Sequence, residues 1–301
     1  MNRIVAEFNS TPWAMLPSSL AMVHDVIARW SSGVRLSADE IAAAVGVAPA
    51  EAAARRDSAA SIGNVAVIPV LGIISQRANM IAEVSSGAGT STEMLGKKIK
   101  SAASDSSVGA IVLDVDSPGG SVYGVHEVAE QIYEARAAKP VVAVVNSLAA
   151  SAGYWIASAA SEVVIAQSGE AGSIGVYAAH IDRSAEMERD GRKMTLISAG
   201  RYKVEGNPYE PLSDEARAAM QSSVDGYYAQ FVAAVAKYRG ASVGAVRGGY
   251  GEGRVLRADD AVSAGLADRI GTLEQVIAEL SGARRGRSSE SAKRRLSLVA
   301  Q

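Results

Sequence analysis

From Asn64 onward the chain alternates short, nearly unbroken apolar runs with helix-patterned stretches, and this alternation limits the fold more than any other feature. The runs are Val65–Ile74, Ala110–Val115, Val141–Asn146, Glu162–Ala166 and Met194–Ser198. Apolar runs of this length predict strands buried on both faces, as in parallel sheets covered by helices. Helical patterns separate them at Thr90–Ala103, Val122–Ala137, Ala152–Ala160 and Gly172–Val176, the last leading into Ser184–Asp190. A long helix is expected over Ser213–Arg239. The expected class is therefore α/β with a mostly parallel sheet. In such sheets, catalytic groups collect beyond the carboxyl ends of the strands.

Two polar motifs stand at such ends. Ser117-Pro118-Gly119-Gly120-Ser121 follows the second run, and Ala149-Ala150-Ser151-Ala152-Gly153 follows the third. A serine between small residues at a strand-to-helix turn fits two readings: a plain helix cap, or a nucleophile with an accessible hydroxyl. Pro-Gly-Gly is equally a simple turn. Placed upstream of Ser151, however, its side-chain-free backbone lets an N–H approach a substrate carbonyl. Gly119 and Gly120, with the N–H of Ala152 at the helix start, would then form an oxyanion hole.

A serine hydroxyl needs a base. The three histidines are His24, among helical neighbours near the amino terminus, His126, on the helix after the double glycine, and His180, downstream of Ser151. The chain has no cysteine, which excludes disulfides, thiolate metal sites and cysteine nucleophiles. Asp114 and Asp116 have no histidine or further carboxylate near them in sequence and read as strand-end polar residues. No metal or other cofactor is expected.

Together with Ser198-Ala199-Gly200-Arg201-Tyr202-Lys203, these motifs resemble peptidase family S49, whose members are signal peptide peptidase A-like proteins and the capsid assembly proteases of tailed phages, the minor capsid protein C-like branch. The resemblance runs from about residue 64 to residue 276 and includes Gly172-Ser173-Ile174-Gly175-Val176, Gly253-Arg254-Val255-Leu256, Ala261 and Gly265-Leu266-Ala267-Asp268. It implies a ClpP/crotonase-like spiral fold and a serine endopeptidase with a Ser-Lys dyad. Ser151 would be the nucleophile, Lys203 its base, and Ser173 the residue that hydrogen-bonds the lysine amine. A free lysine, with a pKa of about 10.4, takes up no further proton at neutral pH, and burial is what lowers that value. By position alone Lys203 reads as a solvated surface charge, and Ser173 is equally a helix cap. In family members with a single set of motifs the lysine comes from a neighbouring protomer. This chain has one set, so a ring-shaped homo-oligomer with shared sites is implied.

Residues 1–60 read as an N-terminal helical appendage, with a helix over Ser18–Trp30 and a capping box at Ser37–Glu40. The segment Phe8–Ala14 resembles the start of the phage branch. The peptidase domain is expected over 64–280. From 282 to 301, six basic residues against one glutamate read as a flexible tail, a hinge toward a further segment, or a scar of self-processing. Basic and acidic residues number 30 and 32, so net charge gives no case for nucleic acid or an anionic membrane. No apolar run is long enough for a membrane span, which favours the phage branch over the membrane-working one. The implied substrates are scaffold, capsid or portal proteins and the chain itself, in the host cytoplasm within a phage prohead. Three other readings are a signal-peptide-degrading peptidase of the same family, a non-catalytic capsid assembly protein, and an acyl-CoA enzyme on the related crotonase fold. The last leaves Lys203 unexplained.

Overall fold

A computed structural model describes residues 11–31, 34, 60–77 and 89–282. The chain begins with β1 (Trp13–Met15), α1 (Pro17–Ser31), β2 (Ala60–Ile62), β3 (Val65–Leu71), β4 (Ile73–Ser75), β5 (Gly89–Ser91) and α2 (Thr92–Ser104). Then come β6 (Ala110–Ser117), β7 (Gly119–Ser121), α3 (Val125–Ala135), β8 (Val141–Ala150), α4 (Ala152–Ser158), β9 (Glu162–Ile165) and β10 (Glu170–Gly172). The last elements are α5 (Ser184–Arg189), α6 (Asp214–Arg239), α7 (Val243–Gly249), β11 (Val255–Arg257), α8 (Ala258–Ala264), β12 (Arg269–Ile270) and α9 (273–282).

The apolar runs form one sheet in the order β11-β10-β8-β6-β3-β2, with β9 on the first half of β8 and β12 on β9. Pairing is parallel except at β2–β3 and β10–β11. Both faces are covered, as unbroken apolar strands require. One face of β6 and β8 (Ile111, Leu113, Val115, Ala143, Val145) packs in a cluster with Leu95, Ile99, Val128, Ile132, Trp155 and Phe231 from α2, α3, α4 and α6. The other face (Val112, Val142, Val144, Val164) meets Val276 of α9. Trp155 stacks on Phe231 at 4.4 Å between ring centroids, tying the helix after Ser151 to the long helix.

A smaller sheet, β1-β7-β4-β5, continues from the carboxyl ends of β3 and β6. The run expected as one strand over Val65–Ile74 is broken at Gly72, whose φ of 66° only glycine adopts cheaply. The Ser117 hydroxyl donates to the Gly72 carbonyl at 2.6 Å, pinning the two points where the chain passes from sheet to sheet. Helix starts follow their caps. Ser91 accepts from the Met94 N–H and Ser213 from the Ala216 N–H, and α6 carries acids in its first turn and bases in its last.

Three expectations are corrected. Gly172–Val176 is not helical: Glu170–Gly172 is a strand held between β8 and β11, and sheet pairing overrides the helical pattern of small residues there. Met194–Ser198 is not a strand: no sheet edge takes it, and the run lies in solvent with Ile197 96% exposed. Within the expected helical appendage, Pro17–Ser31 is helical, but Trp13–Met15 is a buried strand of the smaller sheet. The capping box at Ser37–Glu40 and the tail beyond 282 lie outside the described residues. Among those residues no helix is long and apolar enough to cross a membrane.

The closing segment is locked to α6 by Arg239, whose side chain is only 7% exposed. It donates to both Asp268 carboxylate oxygens at 2.7 and 2.9 Å and to the Gly265 carbonyl at 3.1 and 3.2 Å. Burial opposes the ionisation of Asp268, but the Arg239 guanidinium and the Val163 N–H outweigh it and hold the carboxyl below its usual range. A lowered carboxyl pKa stabilises fully above the unfolded value, and this contribution is lost as pH falls through the folded one. Asp268 is 42% exposed, and solvent screens the pair. Asp268→Asn should therefore cost only about 1 kcal/mol at pH 7. Urea unfolding at pH 7 and pH 3 should show that difference shrinking in acid.

Candidate active site

Strand β8 changes course just before Ser151. It pairs with β6 in register from Ile111↔Val141 to Val115↔Val145, and then Ser117 faces Ala149, so Asn146–Leu148 bulge opposite Asp116 alone. Such a bulge re-aims the strand that follows it. The Ser147 hydroxyl donates to Asp116 at 2.8 Å. Burial raises the Asp116 carboxyl above its usual range, opposed by that hydroxyl and the Leu148 N–H. Asp116 and Ser147 hold the bulge that precedes Ser151, a contact that the sequence did not reveal because a bulge is set by the partner strand. Asn146 donates to Asp114 at 3.4 Å across the same pair of strands.

Ser151 follows at φ 56°, ψ −118°, a conformation costing a non-glycine residue about 1–3 kcal/mol. Four non-glycine residues among those described have positive φ, and three of them are Ser147, Ser151 and Ser173. Strain concentrated at one place marks a site that the surrounding structure holds in shape. The Ser151 N–H donates to the Gly172 carbonyl at 2.8 Å, and its hydroxyl makes a long contact of 3.4 Å with the Gly175 carbonyl. As a cap, Ser151 makes no side-chain hydrogen bond to α4, so the plain-cap reading does not describe it. The side chain of Ser151 is enclosed, with the residue only 1% exposed.

The glycine loop lies against this turn. A Cβ on Gly119 would stand 3.0 Å from the Ala150 carbonyl oxygen, and one on Gly120 would stand 1.9 Å from that of Ile74. The Gly119 N–H donates to the Ser117 hydroxyl at 3.2 Å. Ala152, buried at the first position of α4, carries one of the N–H groups that a helix start leaves unpaired. Gly120→Ala would force backbone against backbone. It should lower stability by about 3 kcal/mol and remove any activity of the site, measured by denaturant unfolding and peptide hydrolysis.

The structure brings Ser151, Ser173, Gly119, Gly120 and Ala152 into one region but leaves Lys203 out of it. Ser173 is buried, with its N–H on the Arg254 carbonyl at 2.7 Å. Lys203 is exposed on an arm over 178–212, and its amine has no hydrogen-bond or ion-pair partner among the described residues. The arm is held by contacts within itself and by two side chains that reach α6. Arg183 binds Glu186, the His180 ring meets the Asn207 carbonyl at 3.0 Å, and Arg201 and Tyr202 donate to Glu215. It presents Met194, Leu196, Ile197 and Tyr202 to solvent. None of the histidines bonds Ser151: His180 is engaged by the arm, His24 is exposed on α1, and His126 packs edge-on against Trp155.

The model of Peptidase family S49 matches residues 134–285. The capsid assembly protease C of Escherichia phage lambda is 37% identical over 240 residues, covering 79% of this chain and 54% of that protein. The head-tail preconnector protein GP5 of Enterobacteria phage P21 is 35% identical over 222 residues, covering 74% and 44%. The chain thus spans about half the length of these two relatives. Among solved structures, a ClpP1 mutant from Listeria monocytogenes aligns at 16% identity with a TM-score of 0.41, covering 68% of this chain and 90% of that one. The family model takes in half of the chain, including Ser151, Ser173 and Lys203, and the protein belongs to peptidase family S49.

Proposed function

We propose that the protein is a serine endopeptidase of phage head maturation, with Ser151 as nucleophile and Lys203 of a neighbouring copy as base. The observation that carries this reading is Ser151 itself, held at a strained turn between a buried strand and a helix, beside a glycine loop that tolerates no side chain. Attack by its hydroxyl on a peptide carbonyl creates an oxyanion. Ala152 supplies an N–H for it, Gly120 a second once the strand paired with it at Ala14 has left, and Gly119 a third on leaving Ser117. The neutral Lys203 amine takes the hydroxyl proton and returns it to the leaving amide nitrogen. Ser173 orients that amine.

The arm supports the shared site. A row of exposed apolar side chains beside an unpartnered lysine is a surface that association would cover. Desolvation there favours the neutral amine that the chemistry requires. A ring-shaped homo-oligomer would close each site in turn. The substrates are polypeptides (scaffold, capsid or portal proteins, and the chain itself), met in the host cytoplasm within the prohead. The names of the two phage relatives, a capsid assembly protease and a head-tail preconnector, favour this setting over signal-peptide degradation. Intact mass spectrometry of the protein co-expressed with its scaffold protein tests the reading. Defined fragments with wild type and none with Ser151→Ala are expected, and uncleaved scaffold from assembled wild-type oligomers would contradict it.

A further inference from the structure

The slot beside the glycine loop is already filled by the chain's own amino-terminal segment. Trp13–Met15 runs antiparallel to Gly119–Ser121, with Ala14 opposite Gly120 and Met15 opposite Gly119. The Leu16 N–H donates to the Pro118 carbonyl at 2.9 Å, and the Pro12 carbonyl accepts from the Val122 N–H at 3.3 Å. On its other side Trp13 exchanges both backbone hydrogen bonds with Tyr177, at 2.8 and 3.0 Å. Residues 12–16 thus form one extended strand inserted between two edges. Their side chains alternate as those of a bound peptide do, and Trp13, Ala14 and Met15 are all buried.

Both edges of the slot reach the nucleophile. At Gly119 three backbones meet: an added Cβ would lie 2.2 Å from the Ala14 oxygen, 3.0 Å from the Met15 Cα and 3.0 Å from the oxygen of Ala150, the residue before Ser151. The other edge ends at Tyr177, two residues past the Gly175 carbonyl that the Ser151 hydroxyl touches. The Tyr177 hydroxyl is buried with no hydrogen-bond partner among the described residues, and its burial pushes the phenol up to about 12. Ser151 itself is only 1% exposed.

We propose that this slot is the peptide-binding subsite of the serine site, and that residues Pro12–Leu16 fill it in the free chain as an internal pseudosubstrate. The inference rests on Ser151 as the nucleophile. Helix α1 begins at Pro17, so the occupant leaves the extended path directly after Leu16 and does not continue as a substrate would. A polypeptide to be cut enters by displacing this segment. The occupant also defines the ligand class: an extended segment with large apolar side chains in the places of Trp13 and Met15 and a small one between them.

The test uses the full chain carrying Ser151→Ala and a fluorescent peptide copying residues 9–19. Peptide binding needs no chemistry, so its outcome is separate from that of the proteolysis experiment. Adding Ala14→Pro removes a backbone donor from the strand and should free the slot, tightening peptide binding at least tenfold by fluorescence anisotropy. Equal affinities, or no binding by a variant that still unfolds cooperatively, would overturn the proposal. Hydrogen exchange of the chain with the strand unaltered gives a second readout. Saturating peptide should raise exchange at residues 13–16 and leave Gly119–Ser121 and Tyr177 protected. Bound peptide with exchange at 13–16 unchanged would place the substrate elsewhere and overturn it.

Discussion

Replacing Ser151 by alanine should lower peptide hydrolysis by about 10⁴-fold or more while leaving the fold as stable as before. The activity loss follows from removing the atom that forms the covalent bond. The unchanged stability follows from the local geometry. Alanine meets the same strain at φ 56° as serine does, and the hydroxyl it removes makes only the 3.4 Å contact with Gly175. That contact is too long to contribute more than a few tenths of a kcal/mol. Hydrolysis of a fluorogenic peptide, followed alongside thermal unfolding, separates the two effects. An unstable Ser151→Ala protein would mean that the serine is held for packing rather than for chemistry.

Lys203→Ala should show the same pairing of effects, an activity loss of about 10³-fold or more at unchanged stability. Here the reason is exposure. Within one subunit the side chain lies in solvent without a partner among the described residues, and surface substitutions of that kind change the subunit's own stability by no more than about 0.5 kcal/mol. Lys203→Arg is the sharper variant, because it keeps the charge and nearly the reach. A guanidinium does not give up its proton in a protein, so arginine cannot act as the base. Activity retained in Lys203→Arg would assign the lysine a merely electrostatic role. A base elsewhere in the chain would then be required, and none of the three histidines bonds the serine.

Much of this architecture was legible in the sequence because burial on two faces leaves an unmistakable trace. Val65–Leu71, Ala110–Ser117 and Val141–Ala150 are strands because each opens on an unbroken apolar run and both sheet faces are packed. Ser151 and the Gly119–Gly120 loop were readable from their places at strand ends. What escaped depended on partners distant in sequence. The bulge at Asn146–Leu148 exists only against Asp116, and the strand at Trp13–Met15 only against Gly119–Ser121. Met194–Ser198 misled for a related reason. Its apolar pattern is real, but within one chain it has no core to enter, and a second copy is the surface proposed to cover it.

The most direct test of the shared site is to mix Ser151→Ala and Lys203→Ala subunits. Each is expected to be inactive alone. In a randomly mixed ring built through one heterologous interface, about a quarter of the sites pair an intact serine with an intact lysine. Recovery of roughly a quarter of wild-type hydrolysis after subunit exchange is therefore the predicted result. Mixtures that exchange subunits and remain as inactive as either variant alone would contradict a site assembled from two copies.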